Sequence, residues 1–423
     1  MDTTPFHLIL FALDILVWGG LFLWIRFRRN RVAEKALVYC FEKSLYAPVV
    51  VRRASLVWDI AGVFLVGSFG LVCFAVLAWL MTFDYVQEHI YHFNVGQCIV
   101  EGVAVHGTLF LCVVAVLLFW NRRRFCALFS GLCALVLAAF SFNVLYWEPY
   151  HLRVEHYTVK TAKLTKPLRI VFVSDIQTDR VGSHELNTLK TIQKQKADLI
   201  ILGGDYVQTF GSALEKPVRE ALRQLLLEYP LEAPLGVYAV KGNIGGIGTL
   251  NDTHLFNGTS VKHLWRTTVL PNIGEDEGWE PPIDLILLST AHSSGGLVER
   301  DLIDSGNFVV MAGHYPNYAV DGYTDPETGK SLSGYKNAEK APDLMLAGHT
   351  HGGQIVLPFY GPLPKTRDLF LQQVPRSMWS GLFSYPNGGH LLVTRGSGME
   401  RGWAPRMRLF CPAEISVIDI VPE

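Results

Sequence analysis

The chain changes character at about residue 148. Long apolar runs precede this point, and short apolar runs separated by polar stretches follow it. Four long runs occur in the first part: Phe6–Ile25, Leu56–Phe83, Cys98–Trp120 and Phe125–Trp147. Each has the ~20 residues that a helix needs to cross a bilayer, and runs such as Leu109–Phe119 lack the polar face of a helix in a soluble bundle. The pattern predicts a membrane domain over residues 1–150 with four transmembrane helices.

Lysine and arginine are confined to alternate loops of this membrane domain. Eight lie in the loop after the first run and three in the loop after the third, whereas the N-terminus and residues 84–97 contain none. The positive-inside rule then places both chain ends outside the cytoplasm. We expect an integral protein of the cell (inner) membrane with its second part on the extracytoplasmic side. The first residues lack a basic stretch, so the first run is expected to be retained in the mature protein.

The second part alternates short apolar runs with polar stretches of helical periodicity. Near-continuous apolar runs of this length are typical of strands buried on both faces. Eight runs predict strands: Leu168–Ser174, Leu199–Gly203, Val237–Lys241, Leu285–Ser289, Val309–Ala312, Leu344–Ala347, Leu391–Thr394 and Ile415–Val421. Two segments between them, Glu185–Lys196 and Leu214–Glu228, predict helices. The pattern predicts an α/β layered domain over residues 155–423.

Composition and charge narrow the function classes. The chain is 50% hydrophobic, with the excess in the first part, and its formal net charge is -1. A near-neutral balance without a basic stripe gives no support for a nucleic-acid partner. Of the seven cysteines only Cys411 lies in the second part, so that part is not expected to contain an internal disulfide.

Residues of the metal-binding type follow five of the predicted strands. They are Asp175 and Gln177 after the first strand, then Asp205, Asn243, His314, and finally His349 and His351. One such residue is typical of an ordinary turn. Because ligand sites in α/β sheets collect at the carboxyl ends of strands, five such strands in one domain predict a shared site.

Carboxylate, amide and imidazole ligands in one site favour Mn, Fe or Zn over Ca. Two such ions about 3.5–4 Å apart can share a bridging carboxylate and a bridging hydroxide that attacks phosphorus in line. The residues therefore suit two-metal hydrolysis of a phosphate ester. We expect Asp205, Asn243 and His314 to be catalytic.

The order of these motifs resembles the calcineurin-like metallophosphoesterases over roughly residues 165–423. The family pattern is Asp-x-His, Gly-Asp, Gly-Asn-His, a further His and Gly-His-x-His. The stretch Gly348–Gln354, which reads Gly-His-Thr-His-Gly-Gly-Gln, is similar to the signature of a membrane-associated branch. That resemblance implies a four-layer αββα sandwich and two divalent ions. One ion would be held by Asp175, Asp205 and His351, and the other by the bridging Asp205 with Asn243, His314 and His349.

Two positions depart from the family pattern. Gln177 stands where the family has the histidine of Asp-x-His, and a neutral amide oxygen is a weaker ligand than imidazole for these metals, so the first position is expected to be weak or to take a harder ion. Ile244 replaces the histidine that contacts the phosphate and helps the leaving group, and such a loss typically lowers the rate ~10²–10⁴-fold. His254, His263 and His292 are candidate substitutes for this missing histidine, although each is expected to be an ordinary surface or core histidine.

About twenty residues separate the last apolar run from the first predicted strand, which would hold the active site near the bilayer. We expect a membrane-anchored dimetal phosphoesterase whose substrate is a lipid-linked phosphoester or pyrophosphate. One alternative is a degenerate domain that senses metal or phosphate without turnover. Another is a transport or assembly protein in which the spans act, with Asp14 and His106 as intramembrane ionisable residues.

Two features of the second part fit more than one role. The aromatic segment Phe359–Phe383 is compatible with ordinary packing, with insertion into the membrane interface or with an acyl-chain pocket. Four C-terminal arginines either grip a phosphate or face solvent: Arg395, Arg401, Arg406 and Arg408.

Overall fold

The computed structural model describes most of the chain after residue 92. The described ranges are 93–209, 212–244, 252–275, 282–295, 306–320, 334–363, 373–400 and 405–423, with short pieces within 20–27 and at 61–62, 323–324 and 331–332. The chain divides into two compact units, Met1–Asn143 and Val144–Glu423. The predicted membrane domain of residues 1–150 stays a prediction.

Two long apolar helices form most of the described part of the first unit, α1 (Phe93–Trp120) and α2 (Arg124–Phe142). They pack against each other, and the Ser130 hydroxyl donates to the Leu111 carbonyl oxygen at 2.9 Å. Stretches 103–120 and 124–150 are long and apolar enough to cross a membrane, which suggests membrane association by length and composition alone. The first two predicted spans and Asp14 lie almost entirely outside the described residues, so the structure does not confirm a four-helix region.

A six-stranded sheet forms one layer of the second unit. Its strands, in spatial order, are β1 (Arg153–Thr161), β16 (Glu414–Pro422), β2 (Leu168–Val173), β3 (Leu199–Leu202), β4 (Val237–Val240) and β5 (Val261–Leu264). All neighbouring strands are parallel except β16 and β2. The carboxyl ends of β2, β3 and β4 therefore lie along one edge.

A second six-stranded sheet forms the next layer. Its order is β14 (Gly381–Ser384), β15 (His390–Val393), β11 (Leu344–Ala347), β8 (Phe308–Ala312), β7 (Ile283–Leu287) and β6 (Thr268–Ile273). The four central strands are parallel and the two edge strands antiparallel. Two short antiparallel pairs lie outside the sheets: β9 (Tyr323–Thr324) with β10 (Ser331–Leu332), and β12 (Val356–Leu357) with β13 (Gly361–Pro362).

The main core lies between the two sheets, where Phe172 and Ile201 of the first join Leu285, Val310 and Leu346 of the second. The alternate residues of the first sheet pack on its helices instead. The remaining helices are α3 (Glu148–Tyr150), α4 (Ser183–Lys194), α5 (Ser212–Glu228), α6 (Asp252–Phe256) and α7 (Thr290–Ser293). Burial on both faces explains the near-continuous apolar runs, and the predicted α/β class is confirmed.

The described part of the outer layer on the second sheet consists of short turns, and a four-layer αββα sandwich stays a prediction. In the described ranges three 3₁₀ turns cover this face: Pro316–Ala319, Tyr335–Asn337 and Arg376–Met378. Aromatic residues such as Tyr318 and Trp379 pack from this layer onto the strands. Proline at the start of the first turn and before the third favours short turns over a regular helix.

Candidate metal centre

The seven predicted site residues follow five strand ends drawn from both sheets. Asp175 and Gln177 follow β2, Asp205 follows β3 and Asn243 follows β4, all in the first sheet. The histidines come from the second sheet, His314 after β8 and the pair His349 and His351 after β11. Six of the seven are buried, and Asn243 is exposed. The centre thus lies at the edge where the sheets meet, with its opening to solvent at Asn243.

Five of these residues have left-handed backbone. The φ angles are 55° at Asp175, 40° at Gln177, 54° at Asp205, 66° at His349 and 52° at His351. Residues other than glycine rarely adopt this backbone conformation. It persists where the surrounding structure holds it, most often at functional sites. Main-chain hydrogen bonds between the loops hold this backbone conformation here. The amide of Asp175 donates to the Gly204 carbonyl oxygen at 3.0 Å, and the amide of Gln177 donates to the Asp205 main-chain carbonyl oxygen at 2.9 Å.

Glycines next to the ligand-type residues allow the loops to approach closely. A Cβ atom on Gly242 would overlap the Asp205 carboxylate, and one on Gly348 would overlap the Ser174 side chain. The glycines that flank the motifs in the sequence therefore reflect close packing.

Four residues bring their ligand atoms together, and we call them the convergent cluster: Asp205, Asn243, His314 and His349. Asn243 Oδ1 lies 2.7 Å from His314 Nε2 and 2.9 Å from His349 Nδ1. Asp205 Oδ2 lies 3.2 Å from His314 Nε2. Adjacent ligands around an ion with ~2.1 Å bonds are about 3 Å apart, so these spacings fit the coordination shell of one ion.

The hydrogen bonds of His314 show whether its ring is arranged to bind a metal ion. Its Nδ1 lies 2.8 Å from the Gly203 carbonyl oxygen, which only accepts, so Nδ1 carries a hydrogen. Its Nε2 faces the Asp205 carboxylate, and this arrangement needs a proton or a cation between them. Burial lowers the pKa of His314, but the charge and hydrogen bond of Asp205, together with the charge of Asp175 and the Gly203 carbonyl, outweigh burial and raise the pKa to about 9. A divalent cation would satisfy the same groups, so the residues fit a metal.

Asp205 stays ionised despite its burial. Burial raises the pKa of its carboxyl, but His314 and the amide of Ile244 more than compensate and lower the pKa below its usual range. The Ile244 amide donates to Asp205 Oδ1 at 2.8 Å. The main chain at position 244 therefore supports the centre although the family histidine is missing.

The other half of the centre is formed by Asp175, Gln177 and His351. The amide of His349 donates to Asp175 Oδ2 at 2.9 Å, and His351 Nε2 lies 3.4 Å from Asp175 Oδ1. Burial and the charge of Asp205, opposed by His314, raise the pKa of Asp175. Within the described ranges, Asp175 Oδ1 and Gln177 Oε1 are buried oxygens without a hydrogen-bond partner. Such oxygens are costly unless a donor or an ion satisfies them, which fits a second ion.

Two further residues, Gln208 and Glu400, hold Gln177 in place. Gln177 Nε2 lies 3.3 Å from Asp205 Oδ2 and 3.4 Å from Glu400 Oε2. Gln208 Nε2 donates to Glu400 Oε1 at 2.7 Å. Because two carboxylates face the Gln177 NH₂ group, its orientation is set and Oε1 points away from them. The sequence carries no ligand spacing that would have found Gln208 or Glu400.

None of the candidate substitutes for Ile244 joins the centre. His254 is exposed, and the ring of His292 contacts the Thr267 hydroxyl at 2.6 Å. Burial, with Lys241 and Arg219 adding to it, lowers the pKa of His263 to about 4. Among the described residues, none of the three hydrogen-bonds a predicted ligand.

The C-terminal arginines have structural roles. Arg408 is fully buried and donates to the main-chain carbonyl oxygens of residues 395, 396, 398 and 411. Arg395 pairs with two carboxylates and Arg406 with one. Arg401 lies outside the described residues. The three described arginines are thus engaged with the protein itself.

Comparison with known proteins gives the family of the domain that contains these residues. Residues 168–353, which contain all seven predicted site residues, match the family model for calcineurin-like phosphoesterase. The second unit therefore contains a calcineurin-like phosphoesterase domain. This metallophosphoesterase is therefore a metal-dependent phosphoester hydrolase of a family that binds divalent metals, and Asp205, His314 and His349 form a cluster able to hold one.

Three relatives are similar over most of their length. An uncharacterized metallophosphoesterase of Bacillus subtilis, YkuE, is 27% identical over 317 residues, covering 71% of this chain and 97% of that protein. The phosphodiesterase YaeI of Escherichia coli is 27% identical over 308 residues, covering 71% and 99%. The UDP-2,3-diacylglucosamine pyrophosphatase LpxG of Chlamydia trachomatis is 26% identical over 301 residues, covering 60% and 84%.

Proposed function

We propose that this metallophosphoesterase is anchored in the cell membrane and hydrolyses a phosphoester or pyrophosphate of a lipid-linked substrate. The observation that carries the proposal is that the chain passes directly from an apolar helix into the hydrolase unit. A 27-residue apolar stretch, Arg124–Tyr150, is long enough to span a membrane. The first strand of the hydrolase unit begins at Arg153, immediately after it. A soluble substrate would not require that placement, whereas a lipid-linked substrate has its phosphate at the membrane surface.

The site residues would hold two divalent ions, Mn, Fe or Zn, with Asp205 between them. The convergent cluster would hold one ion, and Asp175, Gln177 and His351 the other. When bound, the ions supply a hydroxide nucleophile and neutralise charge that develops on the phosphoryl oxygens. We propose Asp205, Asn243 and His314 as catalytic residues.

The protein groups prepare this site for the reaction. The Nδ1–H of His314 donates to Gly203, which leaves Nε2 directed at Asp205. The Ile244 amide fixes the other Asp205 oxygen. Asn243, the exposed member of the cluster, lies where a substrate phosphate would enter.

The names of two relatives support the type of substrate. LpxG is named as a pyrophosphatase of a diacylated sugar nucleotide, and YaeI as a phosphodiesterase. Both names describe cleavage at a phosphorus atom that carries two substituents, which is consistent with a lipid attached through a diester or pyrophosphate. The positive-inside pattern supports an extracytoplasmic hydrolase unit.

The test compares substrates with the full chain in lipid nanodiscs supplied with Mn²⁺. A lipid-linked pyrophosphate, a soluble aryl phosphate diester and a nucleotide are assayed beside Asp205→Ala. We expect the highest kcat/KM on the lipid-linked compound. Equal or better activity on the nucleotide would contradict a lipid substrate. Bound metal without any Asp205-dependent turnover would instead favour the sensor alternative.

A further inference from the structure

An exposed aromatic surface lies on the hydrolase unit beside its connection to the apolar helix. We call the following six residues the aromatic surface: Tyr146, Trp147, Leu357, Phe359, Tyr360 and Phe410. Phe359 is completely exposed and Phe410 is 62% exposed. Exposed large apolar side chains that cluster mark an interaction site more often than isolated ones do.

Main-chain hydrogen bonds bring the three segments of this surface together. In the β12–β13 hairpin, the amide of Val356 donates to the Leu409 carbonyl oxygen at 2.9 Å, beside Phe410. The amide of Arg408 donates to the Val144 carbonyl oxygen at 3.0 Å. The amide of Cys411 donates to the buried Glu148 carboxylate at 2.5 Å. Phe410 is therefore located between the hairpin and the helical segment Asn143–Trp147, which carries Tyr146 and Trp147.

The backbone at the two phenylalanines is unusual. Phe359 has a φ of 66° and Phe410 a φ of 51°, a conformation that favours glycine, asparagine or aspartate and is an outlier for a bulky side chain. Both side chains are mostly exposed, so packing within the fold does not explain an aromatic residue at either position. An external partner that receives both rings would explain them.

We propose that the aromatic surface inserts into the lipid bilayer. Three of its residues are tyrosine or tryptophan, which are enriched at the interface between lipid and water because their rings have a polar tip. Trp147 lies within the candidate membrane-spanning stretch that ends at Tyr150, so this end of the unit is at the interface if that stretch crosses the membrane. The exposed Arg376, stacked on the Tyr360 ring at 5.0 Å, supplies a positive charge for lipid phosphates. The inference rests on the proposed membrane anchoring.

The insertion would set the position of the metal centre relative to the membrane. The hairpin starts just after Gln354, whose carbonyl oxygen accepts from the Leu409 amide at 3.1 Å. Phe359 lies eight positions after the predicted ligand His351, a span of at most about 29 Å for extended chain. The hairpin would thus fix the site within reach of a phosphate at the membrane surface, and the proposed substrate would not have to leave the bilayer.

Photo-cross-linking tests the contact itself. Benzoylphenylalanine is placed at position 359, at position 410, and at position 265 as the control. Trp265 is 46% exposed and follows β5 at the opposite edge of the first sheet from β1. The full chain is irradiated in nanodiscs of phosphatidylcholine and phosphatidylglycerol. We expect lipid adducts by mass spectrometry at 359 and 410, and none at 265. Adducts at 359 and 410 no more frequent than at 265 would overturn the proposal.

A kinetic comparison separates docking from the proposed function. Phe359→Asn and Phe410→Asn introduce a polar residue that tolerates the left-handed backbone, so both variants should fold. The double variant should raise KM for the lipid-linked substrate roughly tenfold, because apolar burial in lipid is lost. Hydrolysis of the soluble aryl diester should be unchanged.

If the wild-type protein hydrolyses the lipid-linked substrate and the double variant matches it, the proposed insertion into the bilayer is wrong and the proposed function stands. If the wild-type protein does not hydrolyse it, the proposed function fails while the cross-links still decide docking.

Discussion

The two halves of the metal centre lie at neighbouring strand ends. They differ in how far their ligand atoms are satisfied by the protein without a metal. In the convergent cluster the ligand atoms contact one another at 2.7–3.2 Å, and the protonated His314 neutralises Asp205 without a metal. In the half with Gln177 and Asp175, two buried oxygens have no hydrogen-bond partner in the described part of the chain. The second half thus depends more on an ion, yet it offers a neutral amide as a ligand. We expect the two positions to differ in affinity and in preferred metal.

The largest effect should follow from removing Asp205, which we propose as a ligand of both ions. Asp205→Ala should lower turnover by more than about 10³-fold and reduce the bound metal at both positions, because both would lose a ligand. Metal content and hydrolysis of an aryl diester measure it. Asp419→Asn, which removes a carboxylate paired with Arg169 at the opposite end of β2, should change neither. Two fully occupied ions in the Asp205 variant would contradict a shared ligand.

Stepwise removal of metal should distinguish the two ion positions by their affinity. On titration with a chelator, the full chain should pass through a state with one ion, since the half with Gln177 has the weaker ligand set. Metal analysis at each step measures the occupancy, and activity should disappear with the first ion. Loss of both ions together would show that the halves bind as one unit.

A histidine at position 177 should make the halves more alike. Gln177→His should strengthen Zn binding at the weaker position by roughly 10–100-fold, because imidazole replaces an amide oxygen. Competition with a chromophoric chelator measures the affinity. Gln224→His, on the exposed face of α5, controls for a histidine added elsewhere. An unchanged affinity would mean that Gln177 does not face the metal.

The carboxylate that orients Gln177 should have a smaller effect. Glu400→Gln removes one of the two carboxylates that face the Gln177 NH₂ group, and the affinity of that position should fall about tenfold, as is usual for a residue behind a ligand. The affinity of the convergent cluster should not change. The same loss in a Gln177→His background would show that Glu400 acts on the fold instead of on the amide.

The smallest effect should be a pH dependence of the metal-free protein. His314 has a pKa of about 9 in the fold, above the value near 6.5 of an unfolded histidine. Its protonation therefore stabilises the fold fully below pH ~6.5, and this contribution disappears as the pH rises through about 9. The Tm of the metal-free chain should fall over this window by more than that of the metal-loaded chain. His314→Gln should remove the difference, and an equal slope in both forms would contradict the assignment.

The apolar runs predicted much of the fold. All eight predicted strands are present, with ends that differ by at most two residues, because burial on both faces leaves a continuous apolar signal. Strand β1 was missed since its residues Arg153–Thr161 alternate between exposed and buried positions and include several charges. The short β5, β6 and β14 are only partly buried, and so their sequences resemble loops.

The sequence by itself determined which ligand-type residues would lie together at one edge of the domain. A ligand-type residue directly after a strand is a local feature, and parallel strands bring their carboxyl ends to one edge. Only the tertiary structure decided how those residues are supported. Gln177 meets Glu400 across 223 positions, and Gln208 meets it across 192. These contacts depend on how loops of different sheets pack, and no periodic or local pattern records them. The buried Arg408 and the exposed Phe359 show the same limit, since side-chain type alone would have placed each in the opposite environment.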